Sequence, residues 1–176
     1  MSKQQPVEYL RPAMRQAGLS VSGAALIELM RAVHAKGLPF RFRADGYSMT
    51  PFIRSGDVVT VAPLASHVPR TGDVVAFIHP GMKLLCLHRV VSARGDGFFI
   101  QGDNLIEQPD GVVSRKAILG RVTGVERAGR RITLGLGSER VVIALLSRWG
   151  GLALIQRYLG PLHARFSRSR ASCGKP

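Results

Sequence analysis

Between Phe40 and Leu136 the chain breaks into short runs with a period of two, none longer than eleven residues, separated by glycines and aspartates. The runs are Phe40–Ala44, Asp57–Ala62, Asp73–His79, Leu84–Ser92, Phe98–Gln101, Ala117–Arg127 and Arg131–Leu136. Turn signals divide the region into many short strands. They predict a mainly β domain whose sheet is compact and strongly bent, or a partial barrel. His79-Pro80-Gly81 and Arg94-Gly95-Asp96-Gly97 are expected to form hairpin turns. Asp57 and Asp73 each follow a glycine and open an apolar run, so they are expected to start strands as turn residues and not to serve as catalytic acids.

Helical patterns flank this region. Residues 1–21 carry Pro6 and Pro12 and predict a loosely held arm. From Ser22, a suitable N-cap, Leu26, Leu29, Met30 and Val33 fall on one stripe, and Gly37 with Pro39 ends the pattern. Beyond the sheet, Val141–Leu159 places Leu145, Trp149, Leu152, Ile155 and Leu159 on one helical face, with Arg140, Arg148 and Arg157 supplying charge. Gly150-Gly151 in its middle costs such a helix about 1 kcal/mol per glycine relative to alanine. This segment is expected either to pack on the sheet or to lie in a membrane interface, its cations flanking Trp149 and Tyr158. The tail Ser167–Pro176 is polar, basic and expected to be disordered. The predicted division is an arm and helix over 1–37, a core over 38–137, and an amphipathic helix with basic tail over 138–176.

A length of 176 residues fits one ordinary domain. The net charge of +14 is uneven, since residues 111–176 hold 13 Lys or Arg against 2 Asp or Glu. Such a basic third suggests an anionic partner, a membrane surface or nucleic acid. With 6% aromatic residues and no aromatic-basic interleaving there is no base-stacking platform, so nucleic acid is the less favoured of the two. Cys86 and Cys173 cannot build a disulfide scaffold, and no Cys/His cluster has zinc-ligand spacing. Neither metal nor cofactor is expected. Met1–Gln16 lacks the apolar stretch of a signal peptide, and the longest charge-free runs are 12 residues against the roughly 20 that a spanning helix needs. The expected location is therefore peripheral on a membrane, or cytoplasmic.

Three segments carry residues suited to acyl transfer. The first is Gly46-Tyr47-Ser48-Met49-Thr50-Pro51, followed by Arg54-Ser55-Gly56-Asp57-Val58-Val59. The second runs from Gly72-Asp73-Val74-Val75-Ala76-Phe77 through a hairpin to Leu87-His88-Arg89-Val90-Val91. The third is Phe99-Ile100-Gln101-Gly102-Asp103-Asn104, with Asp110 seven residues beyond Asp103. A serine hydroxyl needs a neighbouring base to take its proton. Ser48 follows a glycine turn and precedes Pro51, so its hydroxyl is expected to project from a tight bend, where its N–H can face a developing oxyanion. Gly46 permits close backbone approach, and Met49 is grouped with it as an oxyanion or substrate contact. By strand parity His88 shares a face with Leu84, Cys86 and Val90 while Arg89 points the other way. A lone histidine on an apolar face is more often packed than catalytic.

The order and spacing of these blocks, over about Ala44 to Val125, resemble the signal peptidase I (S26) family and, more distantly, the S24 family of self-cleaving repressors. The resemblance implies a bent β-sheet catalytic core, Ser48 as nucleophile and His88 as general base. Lys83, the only lysine nearby, has the opposite parity, so the chain resembles the branch that uses histidine where bacterial signal peptidases use lysine. Asp103 and Asp110 are the candidates to orient His88, and both remain open. Three positions depart from the pattern: Tyr47 stands before the serine, Gly46 replaces an oxyanion-hole hydroxyl residue, and Gln101 stands where lysine or serine is common. The implied activity is a serine endopeptidase acting on peptide or protein substrates with small residues at the cleaved bond. The alternatives are a self-cleaving regulator, with Ala17-Gly18 about where its scissile bond would lie, and a non-enzymatic basic module. His34, His67, His79 and His163 have no companion at base or ligand spacing and are expected to be solvated or packed.

Overall fold

A computed structural model describes residues 23–104 and 110–148. The elements run α1 (Gly23–Ala35), β1 (Phe40–Arg43), β2 (Val58–Pro63), β3 (Val74–Ile78), β4 (Leu85–Arg94), β5 (Gly97–Gln101), β6 (Gly111–Ser114), a single 3₁₀ turn (Arg115–Ala117), β7 (Ile118–Arg127), β8 (Arg130–Ile132) and α2 (Arg140–Arg148). The eight strands form one antiparallel sheet in the order β1-β2-β7-β3-β4-β5-β6, with β8 on the far half of β7. The fold is mainly β, as the period-two runs require.

Register shifts in β2 (Thr60/Val61), β3 (Ala76/Phe77) and β4 (Val90/Ser92) bend the sheet. The bend lets both faces of β3 be buried. Val74 and Ala76 point into one cluster with Met30, Met49, Ile53, Val59, Val61, Val122 and Val125. Val75 and Phe77 point into another with Val90, Phe98, Ile100, Val113 and Ile118. The near-continuous apolar run of β3 reflects this two-sided burial.

Helix α1 buries Ile27 and Met30 and leaves Leu29 half exposed, a one-position rotation of the stripe expected from sequence. Gly37, at φ +73°, ends it, with the Gly37 and Leu38 N–H groups donating to the His34 and Val33 carbonyls. One of the seven runs comes out shorter, and one strand is added. Arg131–Leu136 shortens to β8 because the chain turns at Gly135, where a Cβ would fall 2.9 Å from the Phe52 ring. Gly111–Ser114, not among the expected runs, pairs with β5 as an edge strand. The Ser22 cap, the Ala17-Gly18 dipeptide, the second half of Val141–Leu159 and the tail lie outside the described residues.

Asp57 and Asp73 take the strand-opening roles expected of them. The Asp57 carboxylate accepts the Arg54 N–H at 2.8 Å, and that of Asp73 accepts the Arg70 N–H at 2.9 Å. Asp57 also receives Arg127 Nε and Nη2, each at 2.8 Å, tying the loop after β1 to the end of β7. Burial pushes the Asp57 carboxyl up, but the Arg127 fork, the Arg54 N–H and both positive charges outweigh it, leaving it below its ordinary 3.8. A carboxyl lowered on folding stabilises fully above its unfolded value and loses that contribution as pH falls through the folded one. Asp57→Asn is expected to destabilise at neutral pH by up to about 3 kcal/mol, the low end for a buried pair because Arg127 is 28% exposed. Thermal melts at stepped pH should show the gap to wild type closing below the ordinary carboxylate value. A gap that persists unchanged to strongly acid pH would contradict this role.

Candidate active site

Strand β4 divides its polar side chains between the two faces of the sheet. His88 pairs with Val75 and Arg89 with Val74, so the two point to opposite sides as their parity predicts. His88 lies against the Phe77 ring, with centroids 5.8 Å apart, in a nearly dry setting. Its Nδ1 meets Asp110 Oδ2 in a very short contact, and the Asp110 side chain is only 6% exposed. An ionised carboxylate accepts only, so Nδ1 carries the ring proton and Nε2 is left with its lone pair.

That free nitrogen faces the serine turn across Gly102. A Cβ placed on Gly102 would fall 2.9 Å from the Ser48 carbonyl oxygen and 3.2 Å from His88 Nε2. Glycine is therefore required where the nucleophile loop and the base come together. The next residues pin the serine from the same side: the Asn104 N–H donates to Ser48 O at 2.7 Å, and Asn104 Nδ2 donates to Tyr47 O at 3.2 Å. Ser48 itself is half-buried, while Tyr47 points out at 67% exposure.

Met49 and Gly46 do not take the roles grouped for them from sequence. The Met49 side chain is 4% exposed and packs in the first cluster with Ile53, where it anchors the serine turn instead of facing a substrate. Its carbonyl receives the Phe52 and Ile53 N–H groups, which rolls the chain into a single helical turn after Ser48. Gly46, at φ +101°, donates its N–H to its neighbour Asp45, whose carboxylate also receives the Ser55 hydroxyl. Among the described residues the Ser48 N–H makes no backbone hydrogen bond within the turn.

Of the two candidate acids, Asp110 reaches His88. Asp103 is bound on the opposite face to Arg89, whose Nε and Nη2 donate to its two oxygens at 2.8 and 2.7 Å. Arg89 Nη1 donates to the Gly72 and Gly135 carbonyls at 2.8 Å each, and its guanidinium lies 5.5 Å from the Phe52 ring centroid. The Ser147 hydroxyl of α2 adds a 3.3 Å contact to Asp103. Both members of the pair are fully buried, so removing either leaves an unpaired charge, at a cost of about 3–5 kcal/mol.

Sequence reasoning missed two polar groups here. Arg89 was placed on the far face but given no partner. His79, expected to be solvated or packed, has its Nε2 3.4 Å from Asp110 Oδ1. The signal was available in the parity of β3, since His79 follows Phe77 by two and so faces the same side as His88. His67 and His34 also have partners, His67 on the Asp73 carboxylate and His34 on the Val61 and Leu119 carbonyls. No cluster suited to a metal ion occurs among the described residues.

Cys86, one strand period before His88, is the other potential nucleophile on this face. Burial, and then the negative charge of Asp110, push its thiol up to about 12. The thiolate is the reactive form, so the half-buried Cys86 is expected to react slowly at neutral pH. Iodoacetamide at about pH 8 should leave the Cys86 peptide unmodified in the native protein and label it after denaturation, as read by mass spectrometry. Rapid native labelling of Cys86 would contradict the raised thiol.

No curated protein matches the chain. The model of one protein family, described as Peptidase S24-like, matches residues 20–123. The matched span runs from the approach to α1 into β7 and includes Ser48, His88, Asp103 and Asp110. It takes in more than half of the sequence, while Gly135 and Ser147, which contact the Arg89–Asp103 pair, lie beyond it. The chain belongs to the Peptidase S24-like family.

Proposed function

We propose that the protein is a serine endopeptidase in which Ser48 attacks the peptide carbonyl and His88 is its general base. The observation that carries this reading is the setting of His88, with Nδ1 on a buried carboxylate and Nε2 turned towards the serine loop across Gly102. In the forward step Nε2 takes the Ser48 hydroxyl proton as the Oγ–carbon bond forms. Asp110 stays ionised and stabilises the imidazolium, and the ring then returns the proton to the leaving amine. The Ser48 N–H is the backbone donor that can face the oxyanion. Asp103 acts at a distance by fixing, through Arg89, the turn that carries Gly102 and Asn104.

The finer reading is activity of the signal peptidase I type, cleaving an extended segment after small residues. It rests on the resemblance of the serine, Gly-Asp-Val-Val, His-Arg-Val-Val and Gly-Asp-Asn blocks. The family match favours a second reading, self-cleavage in the manner of S24 regulators, for which Ala17-Gly18 is the candidate bond. Purified protein incubated with a signal-peptide substrate, with both substrate and chain followed by mass spectrometry, separates the two. Hydrolysis of the added peptide is expected, and a break after Ala17 instead would favour the regulator. Ser48→Ala should abolish either reaction, and Asp110→Asn should lower kcat by roughly 10³–10⁴-fold through loss of the correct tautomer. Equal turnover by wild type and Ser48→Ala would sink both readings.

Peripheral membrane attachment through residues 141–159 is part of this proposal. It is supported by α2, which packs Ile143 and Leu146 against Phe52 yet leaves Val141, Val142 and Leu145 exposed. Among the described residues no helix is long and apolar enough to cross a membrane. An arginine at the centre of a spanning helix costs about 2.5–3.5 kcal/mol, whereas in a helix lying flat it faces the headgroups. In fractionated cells the protein is expected to pellet with membranes and to be released by high salt or carbonate. Retention after carbonate, or failure to pellet at all, would refute it.

A further inference from the structure

Asp110 has two oxygens, and His88 uses only one of them. The other lies 3.4 Å from Nε2 of His79, which stands at the head of the β3–β4 hairpin on the same face of the sheet. Phe77 lies beside both imidazoles, with centroid separations of 5.8 Å to His88 and 6.4 Å to His79. The carboxylate is thus held between two rings behind one aromatic side chain.

The hairpin fixes which nitrogen of His79 carries its proton. Nδ1 accepts the N–H groups of Gly81 and Met82 at 3.2 and 3.1 Å, so it must present a lone pair. The proton is left on Nε2, the nitrogen that faces Asp110. The backbone of His79 is locked as well, its N–H donating to Leu84 O and its carbonyl receiving the Lys83 N–H, each at 2.9 Å. With the ring and main chain both held by the turn, Nε2 is kept 3.4 Å from Asp110 Oδ1.

We propose that His79 is a positioning residue for the reaction set out above, and this inference rests on that reading. Its Nε2–H lies near the Asp110 oxygen that His88 leaves free and restrains that carboxylate. His88 is thereby held in the tautomer with the proton on Nδ1 and the lone pair on Nε2. No proton passes to or from His79 in the cycle. The Ser48 proton moves only to His88 Nε2 and onward to the leaving amine. The array is a serine, a histidine and an aspartate, with a second histidine behind the aspartate.

Two substitutions separate this role from a purely structural one, because an amide can replace either ring nitrogen. In His79→Asn the side-chain oxygen stands near the place of Nδ1, so the hairpin keeps its acceptor but the donor to Asp110 is lost. In His79→Gln the amide nitrogen stands near the place of Nε2, so the donor is kept and the hairpin acceptor is lost. With a signal-peptide substrate, His79→Asn is expected to lower kcat by roughly 10–100-fold with KM within about twofold, and His79→Gln to stay within about threefold of wild type. The reverse ranking, or two variants equal to wild type, would overturn the proposal. Long-range proton–nitrogen NMR spectra of the ¹⁵N-labelled full chain supply a readout independent of activity. They should show His79 protonated on Nε2, and the His88 Nδ1 proton displaced or broadened in His79→Asn but not in His79→Gln. If wild type hydrolyses nothing while these spectra behave as expected, the peptidase reading fails and the placement of His79 stands. An unchanged His88 signal in a folded His79→Asn protein refutes the placement itself.

Discussion

The arrangement around the serine depends on one buried ion pair. Arg89 and Asp103 are wholly removed from solvent, so their attraction is undiluted by water and so is the penalty for losing a partner. The pair is retained because nearly every polar atom in it is used: both carboxylate oxygens receive the guanidinium, and its remaining side bonds two backbone carbonyls. Those carbonyls belong to Gly72, at the entrance to β3, and Gly135, in the turn before α2. One side chain therefore joins the strand that carries His88, the turn that holds Ser48, the start of β3 and the approach to the C-terminal helix.

The sheet separates two kinds of electrostatics within one residue step. On one face Arg89 neutralises Asp103 completely, making it a structural carboxylate. On the other, Asp110 meets imidazoles in place of a permanent cation, which in the proposed reaction would let its charge respond when a proton arrives on His88. A carboxylate already satisfied by a guanidinium would offer the imidazolium much less. The parity of β4 thus presents Arg89 to Asp103 on one face and His88 to Asp110 on the other.

Much of this was legible in the sequence because period two is a local property. The alternation through Leu84–Ser92 placed His88 and Arg89 on opposite faces, and the Gly-Asp steps at Asp57 and Asp73 marked the starts of strands. What could not be read was the pairing of distant segments. Asp103 and Asp110 are seven residues apart, and only the register of β5 against β4 and β6 sends one to Arg89 and the other to His88. Met49 looked like a substrate contact because it adjoins Ser48, yet burial in the core is set by residues far along the chain. The stop at Ile132 was hidden for the same reason, since the apolar pattern continues to Leu136 and the turn at Gly135 is dictated by Phe52 and Arg89.

Strand β7 has a consequence for the order in which the molecule can be assembled. In the sheet, β1 and β2 with the serine turn lie on one side of β7, and β3 to β6 with the histidine lie on the other. The halves contact each other as strands only through β7, where Val61 meets Val122 and Ala76 meets Gly120. Ser48 and His88 both precede this strand in the sequence, and the strand pairing between the halves is complete only once it is in place. Pairings between segments so distant in sequence form late, because the loop-closure entropy must be met first. The strand pairing that fixes the serine turn relative to His88 is therefore among the later features the fold acquires.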